Sequence, residues 1–372
     1  MRSEALRMPA IDALKAIACV SIVLHHLAFY GPMADVAKPL LPTLIEGLDV
    51  YARMAVQIFL VVSGFLFASK FAPDGLPTPI VPLYALLQRY TRLVVPYSAA
   101  LLIAIGCSAL AGLVMDHHSI SSVPDLPRLL AHVLLLHDLL DQEALSAGVW
   151  YVAIDFQLFA LAILLLWLPS RLGDRHPALR AAAPLLITGM TIASLFYFNR
   201  DAWWDESAFY FFGSFGLGIM AWWASSRERA GRWLALLALL AIAALSVDFR
   251  GRIALAGTVA VFLGLARWTH VLHTMPLPAP LARLSRISYS VFLVHFPLCL
   301  LVNAAITYFF PTNPVINAAG LLIAVAVSIA GGSVFYRWVE SYPFPTRMRL
   351  LFPAGVVASG WLTALAAANL TN

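Results

Sequence analysis

Residues 11–30, IDALKAIACVSIVLHHLAFY, decide how the rest of this chain is read. Twenty residues wound as an α-helix rise about 30 Å, the thickness of a hydrocarbon core. Yet the stretch carries Lys15, His25 and His26. An ionisable group at mid-bilayer costs about 2.5 to 3.5 kcal/mol on insertion scales for Lys, Arg or Asp, so such groups need a compensating role. The stretch is too long for a signal-peptide core and no small-residue cleavage site follows it, so it is expected to stay on the protein.

Working outward from this segment, stretches of the same kind recur at 50–69, 93–114, 149–168, 181–198, 208–224, 233–247, 253–266, 288–308 and 316–335. That makes ten, the seventh and eighth being short. A further apolar piece at 350–368, flanked by Arg347 and Arg349, reads either as an eleventh span or as an interfacial helix. Lipid offers no partner to a backbone amide, so each span must close its hydrogen bonds within a helix. The expected fold is therefore an all-α polytopic membrane helix bundle, with one membrane domain at 1–345 and an additional C-terminal segment at 346–372. Composition agrees. The chain is 61% hydrophobic and 12% charged, about half the charge of an average soluble domain. That excludes a water-soluble fold.

The Lys and Arg residues set the orientation. With the N-terminus in the cytoplasm, one side receives Arg2, Arg7, Lys15, Lys70, Arg89, Arg92, Arg171, Arg175, Arg180, Arg227, Arg229, Arg232, Arg267, Arg283, Arg286, Arg337, Arg347 and Arg349. The other receives Lys38, Arg53, Arg128, Arg200, Arg250 and Arg252; eighteen and six account for all 24. The net charge of +5 is thus topological and carries no suggestion of nucleic acid. Cys19, Cys107 and Cys299 fall inside spans, which suggests buried thiols and no disulfide framework or metal-ligand spacing. The longest pieces between spans are 70–92 inside and 115–148 outside; within the latter, 127–141 is apolar but too short to cross, lying at the interface or dipping in and out.

Polar groups inside the spans are where chemistry is expected. Lys15 and His26, eleven residues apart, share a helix face about 16 Å apart along the axis. Counted from the cytoplasmic ends of their spans, His26 and Asp155 lie at about 20 Å, while Ser63, His295 and Lys15 lie at about 10 Å or below. This gives an inner layer of cations and hydroxyls and an outer layer with an imidazole and a carboxylate, in which His26 and Asp155 are expected to meet. Other groups have ordinary readings. Ser63 with Gly64 reads first as a close-packing pair, as do Gly213, Gly216 and Gly218. His25 reads as structural, and His295, two residues before Pro297, as a group that satisfies freed backbone. His132, His137, Asp138 and Asp141 read as a solvated interfacial face.

These strings resemble the acyltransferase 3 family of bacterial membrane O-acyltransferases over almost the whole membrane domain. Lys15 and His26, separated by ten residues, resemble the family's Arg and His on the first span. Phe59, Ser63, Gly64, Phe65 and Leu66 are similar to its Phe-x-x-x-Ser-Gly-Phe run. The segment Arg89, Tyr90, Thr91, Arg92, Leu93, Val94, Val95, Pro96, Tyr97 is similar to the basic pair and Pro that enter the third span. Trp150, Tyr151 and Asp155 resemble Trp-Tyr-x-x-x-Glu; Ser288, Tyr289, Ser290, Phe292, Leu293, His295, Phe296 and Pro297 resemble a late-span signature; Val339, Glu340, Pro343 and Phe344 resemble the closing Val-Glu-x-Pro-Phe. Two positions depart: Lys15 stands for Arg and loses a bidentate fork, and Asp155 stands for Glu and is one methylene shorter.

The resemblance implies transfer of an acyl group, usually acetyl, from cytoplasmic acetyl-CoA to a sugar hydroxyl of an extracytoplasmic polysaccharide or lipid-linked glycan, such as exopolysaccharide or lipopolysaccharide. It implies the bacterial inner membrane, a lipid environment, and no metal or nucleic acid. His26, Asp155 and His295 are the candidate catalytic residues: His26 as general base, Asp155 orienting it. Lys15, Arg89, Arg92 and Ser63 are the candidates for holding the acyl-CoA donor. The sequence leaves open succinyl or longer acyl groups, and a non-enzymatic glycan exporter or flippase that also needs a polar path through many spans.

Overall fold

The computed structural model describes residues 7–173 and 182–370. Arg2, Arg175 and Arg180 of the charge distribution, Ala181 at the start of the fifth expected span, and the last two residues of the segment 346–372 lie outside the described residues. Among those described there is no strand, and the architecture is all-α. The helices of eight residues or more are α1 Pro9–Tyr30, α2 Pro42–Phe71 with a 3-10 stretch at Ala52–Ala55, α3 Pro82–Ala111, α4 Leu126–Val133, α5 Val149–Leu172 and α6 Ala182–Phe196. They continue as α7 Ala208–Ser226, α8 Ala230–Val247, α9 Gly251–Trp268, α10 Ala279–Phe309, α11 Pro314–Phe335 and α12 Thr346–Leu370. Nine of the described helices, all but α4, α7 and α12 of this set, are long and apolar enough to cross a bilayer. Proline opens α1, α2, α3 and α11, where its missing N–H costs nothing.

The helices outrun the apolar stretches that announced them. α3 begins at Pro82 and α10 at Ala279, about ten residues before the expected 93 and 288. The apolar pattern breaks at Arg89 and Arg92, and at Arg283 and Arg286, whereas the helix continues through them, because long cationic side chains reach the headgroups from a helix that has not ended. The two expected short spans are likewise full ones: α8 and α9 have 18 residues each, about 27 Å.

The chain forms two compact units, one of Met1–Ala18, Met54–Gln88 and Ile154–Ser285, the other of Cys19–Arg53, Arg89–Ala153 and Arg286–Asn372. In the first, α7 is the centre: it packs on α2, α6, α8 and α9, and 15 of its 19 residues are buried. Its Gly, Tyr, Trp and Ser residues lower its hydropathy, which is affordable for a helix surrounded by protein rather than lipid. Glycine permits the contact. A Cβ on Gly64 would stand 1.8 Å from the Phe215 carbonyl oxygen, and one on Gly218 would stand 2.0 Å from that of Val61. The close-packing reading of Ser63–Gly64 and of the α7 glycines is what the backbone requires.

In the second unit, α1 and α10 run side by side. Cys19 Sγ donates to the Ser288 carbonyl at 3.6 Å, His26 meets His295, and the Met33 N–H donates to Asn303 Oδ1 at 3.2 Å. The contacts advance by seven residues from Cys19 to His26 on α1 and by seven more to Met33 on the short helix Pro32–Ala37 just beyond it, against seven and then eight on α10, so α1 and α10 run parallel with near-heptad spacing. Parallel running needs an odd number of crossings between them. Six of the nine apolar helices lie between α1 and α10, so α7 must cross as well and bring the number between them to seven, as the ten-span reading expected.

The piece 115–148 is a re-entrant loop. The Tyr90 hydroxyl, eight residues into α3, donates to the Val133 carbonyl at 2.9 Å, so the end of α4 reaches the N-terminal third of α3. Non-helical backbone at that depth is tolerated only inside protein, and the loop is tied accordingly. Arg128, with 7% of its side chain exposed, pairs with Glu143 at 3.1 Å and donates to the Glu143 carbonyl at 2.8 Å and to Ser122 Oγ at 2.7 Å. His132 Nδ1 donates to the Arg128 carbonyl at 2.8 Å, and its Nε2 accepts from the Leu145 N–H at 3.1 Å. His132 and His137 are wholly buried, which overturns the solvated-face reading for both. That reading followed polarity alone, and a fold that buries the loop reverses it. α12 is a continuous helix that packs on α4; at 25 residues it is about 37 Å long, enough to cross.

Four of the six cations assigned to the outer side pair with carboxylates. Arg128 pairs with Glu143, Lys38 with Glu46, and Arg200 and Arg250 both with Asp248. Arg250 also donates to Asn199 Oδ1 and to the Leu195 carbonyl.

Candidate active site

α1 carries His26 to a position where it is 8% exposed, and α10 carries His295 to one where it is fully buried. His26 Nδ1 and His295 Nε2 are 2.7 Å apart, with ring planes within 10°. The far nitrogen of His295, Nδ1, lies 2.8 Å from the Phe292 carbonyl and 3.2 Å from that of Val291. A carbonyl can only accept, so His295 Nδ1 carries a hydrogen. In a neutral imidazole its Nε2 is then a lone pair, which must accept from His26 Nδ1–H. The chain of bonds fixes His26 as the Nδ1–H tautomer and leaves His26 Nε2 as the basic nitrogen. Tyr30 and Phe296 set ring edges against His26 at 5.5 and 6.0 Å between centroids, so aromatic surfaces wall the imidazole. His25 lies round the helix, its Nδ1 3.4 Å from the Leu48 carbonyl.

Pro297 frees the carbonyl four residues earlier, that of Leu293, whereas His295 bonds those of Val291 and Phe292. Satisfying the proline gap is thus not what its hydrogen bonds do. The depth reading also changes. His295 lies sixteen residues above Ala279 and His26 seventeen above Pro9, about 24 and 26 Å up their helices. They are level because α10 starts earlier than its apolar pattern.

Asp155, expected in the outer layer, is 4% exposed and accepts a hydrogen bond from Ser63 Oγ at 3.0 Å. Gly148, just before α5, packs against the Phe292 ring. His295 has changed layer, and the structure gives two pairs, His26 with His295 and Ser63 with Asp155.

Of the candidate donor-binding residues, Lys15 and Arg89 are half-buried and Arg92 is exposed. Arg89 and Arg92 flank Tyr90, whose hydroxyl holds the re-entrant loop. One pairing escaped the sequence: the Ser290 hydroxyl donates to the Glu340 carboxylate, joining α10 five residues before His295 to the π-helical turn Tyr336–Glu340 that follows α11. Both residues stood in quoted motifs, but nothing in either string says that they meet across 50 positions.

Helices of this length around a buried, tautomer-fixed imidazole define a polytopic membrane protein that carries a base within its spans. The model of the acyltransferase domain family matches residues 8–337 of the 372, and the chain belongs to the acyltransferase 3 family; it is a membrane acyltransferase. No curated protein and no solved structure matches it.

Proposed function

We propose that this protein moves an acyl group, acetyl as a rule, from cytoplasmic acetyl-CoA to a sugar hydroxyl of a polysaccharide or lipid-linked glycan across the bacterial inner membrane. The observation that carries the reading is the His26–His295 pair: a neutral imidazole held in one tautomer, in apolar surroundings, within an acyltransferase 3 chain. Its Nε2 takes the proton of the acceptor hydroxyl as the new C–O bond forms at the thioester carbon. The C–S bond breaks, and the imidazolium returns that proton to the departing CoA thiolate. His295, anchored on backbone carbonyls, orients the base, the part played by a carboxylate in other histidine-centred sites. Asp155 and Ser63 form a second polar pair whose carboxylate stabilises positive charge in the bundle. Lys15, Arg89 and Arg92 supply cations for the phosphates of CoA, while Lys15 offers a point charge where the family has a fork.

Mass spectrometry of surface glycans from cells with the intact gene and from cells carrying His26→Ala tests this. The expected result is an ester-linked acetyl present in the first and absent in the second. Identical glycans would remove the glycan acceptor, and a succinyl or longer group would correct the donor.

A further inference from the structure

The second unit holds a small cavity one side chain away from His295. Tyr97, Ala100 and Leu101, spaced three and four residues apart on one face of α3, form one wall. Gly148 and Val149 at the head of α5 and Phe292 on α10 form the other. Its volume is about 10 Å³, roughly the room of one water-sized group. Two observations give it chemical character. The Tyr97 side chain is fully buried, and its hydroxyl has no hydrogen-bond partner among the described residues, an unfavourable state that an acceptor would relieve. Phe292 joins the cavity to the site: its carbonyl accepts from His295 Nδ1, and its ring lies 6.0 Å from the His295 ring.

We propose that this cavity receives the terminal methyl of the donor's acyl group, against Ala100, Leu101 and Phe292, while the thioester carbonyl oxygen beside it accepts from the Tyr97 hydroxyl. The inference rests on the acyl-CoA reading above and deepens it by assigning acyl selectivity and a further catalytic group. Tyr97 keeps its proton throughout. Its hydrogen bond strengthens as the thioester oxygen gains negative charge while the C–O bond forms and the C–S bond breaks, so it acts as an oxyanion donor. A cavity of this size accepts a methyl and excludes a four-carbon chain, which limits the enzyme to short acyl groups.

The test uses the full chain in lipid nanodiscs, a glycan-bearing membrane extract from cells lacking the gene, and acetyl-, propionyl- and butyryl-CoA, with transfer read by mass spectrometry. Wild type should prefer acetyl. Leu101→Ala should raise butyryl use relative to acetyl by about 10-fold or more, since each methylene in an apolar pocket is worth about 10- to 200-fold. Ala100→Leu should suppress acetyl transfer. Tyr97→Phe, which keeps the ring and so the fold, should lower kcat by about 100- to 1,000-fold with KM for acetyl-CoA unchanged, in the range of a lost oxyanion donor. An active wild type whose chain-length profile survives Leu101→Ala and whose kcat survives Tyr97→Phe overturns the pocket and leaves the acyltransferase reading intact. A wild type that transfers nothing from any of the three thioesters sinks the acyl-CoA reading, and the pocket with it.

Discussion

His26 and His295 meet nitrogen to nitrogen at 2.7 Å, and the backbone carbonyls behind His295 dictate which of the two donates. His26→Ala should therefore lower acyl transfer by about 10² to 10⁴ while protein abundance holds, with His25→Ala milder. His295→Gln should outperform His295→Leu, because a glutamine carbonyl can still accept from His26 Nδ1–H whereas leucine cannot. Steady-state kinetics on purified variants decide this; equal activity for the two His295 variants would detach His295 from the tautomer.

The α2–α7 contact predicts a stability difference between glycines. Gly64→Ala and Gly218→Ala each drive a Cβ into a backbone carbonyl, and overpacking of this kind costs about 1 to 3 kcal/mol or more. Gly189→Ala on α6 meets nothing within 4 Å and should be neutral or slightly stabilising. Thermal unfolding in detergent should rank them so, and a normal midpoint for Gly64→Ala would mean that the helices can separate freely.

The parity of the bundle predicts that α7 crosses the membrane. A cysteine at Glu206, exposed beyond its N-terminal end, should react with an impermeant thiol reagent in intact cells, and one at Ser226 only after permeabilisation. Labelling of both from outside would break the parallel assignment of α1 and α10.

Burial in the re-entrant loop holds His132 down at about 4 and His137 at about 3, from an ordinary value of 6.5. Desolvation is the chief cause for both; the hydrogen bond from His132 to the Arg128 carbonyl opposes it, and the Arg128 charge reinforces it. Below pH 6.5 the unfolded chain takes up protons that the folded loop refuses. Stability present above pH 6.5 is thus lost progressively as pH falls to about 4 for His132 and about 3 for His137. For His132 the shift is on the order of 3 kcal/mol. The melting temperature should fall between pH 6.5 and 4.5, and less steeply in His132→Asn, which cannot protonate. A flat wild-type profile over that window would show that the loop opens before the bundle does.

Lys15 tests the donor side. Lys15→Met removes the charge but keeps much of the stem, so acyl-CoA affinity should drop about ten- to a hundred-fold, the worth of one charge-assisted bond, with acceptor affinity unchanged. Lys15→Arg should retain or improve donor affinity. Normal donor binding by Lys15→Met would leave Lys15 as an orientation signal alone.

The sequence by itself determined that this is a membrane helix bundle and which spans hold ionisable groups. Hydrophobic length, charge asymmetry and the cost of a buried charge are one-dimensional quantities, legible at Lys15, His26, Asp155 and His295 without a structure. Partnership was not legible. Whether His26 meets His295 depends on where α10 begins, and a charged end hides that start: α10 runs past Arg283 and Arg286. A shift of ten residues moves a side chain about 15 Å along its helix, more than the reach of any hydrogen bond. The burial of His132 and His137 was invisible for a related reason, since an apolar piece too short to span declares nothing about whether protein will close over it. Only the tertiary structure, by setting helix register and folding the loop inward, decided which polar groups touch.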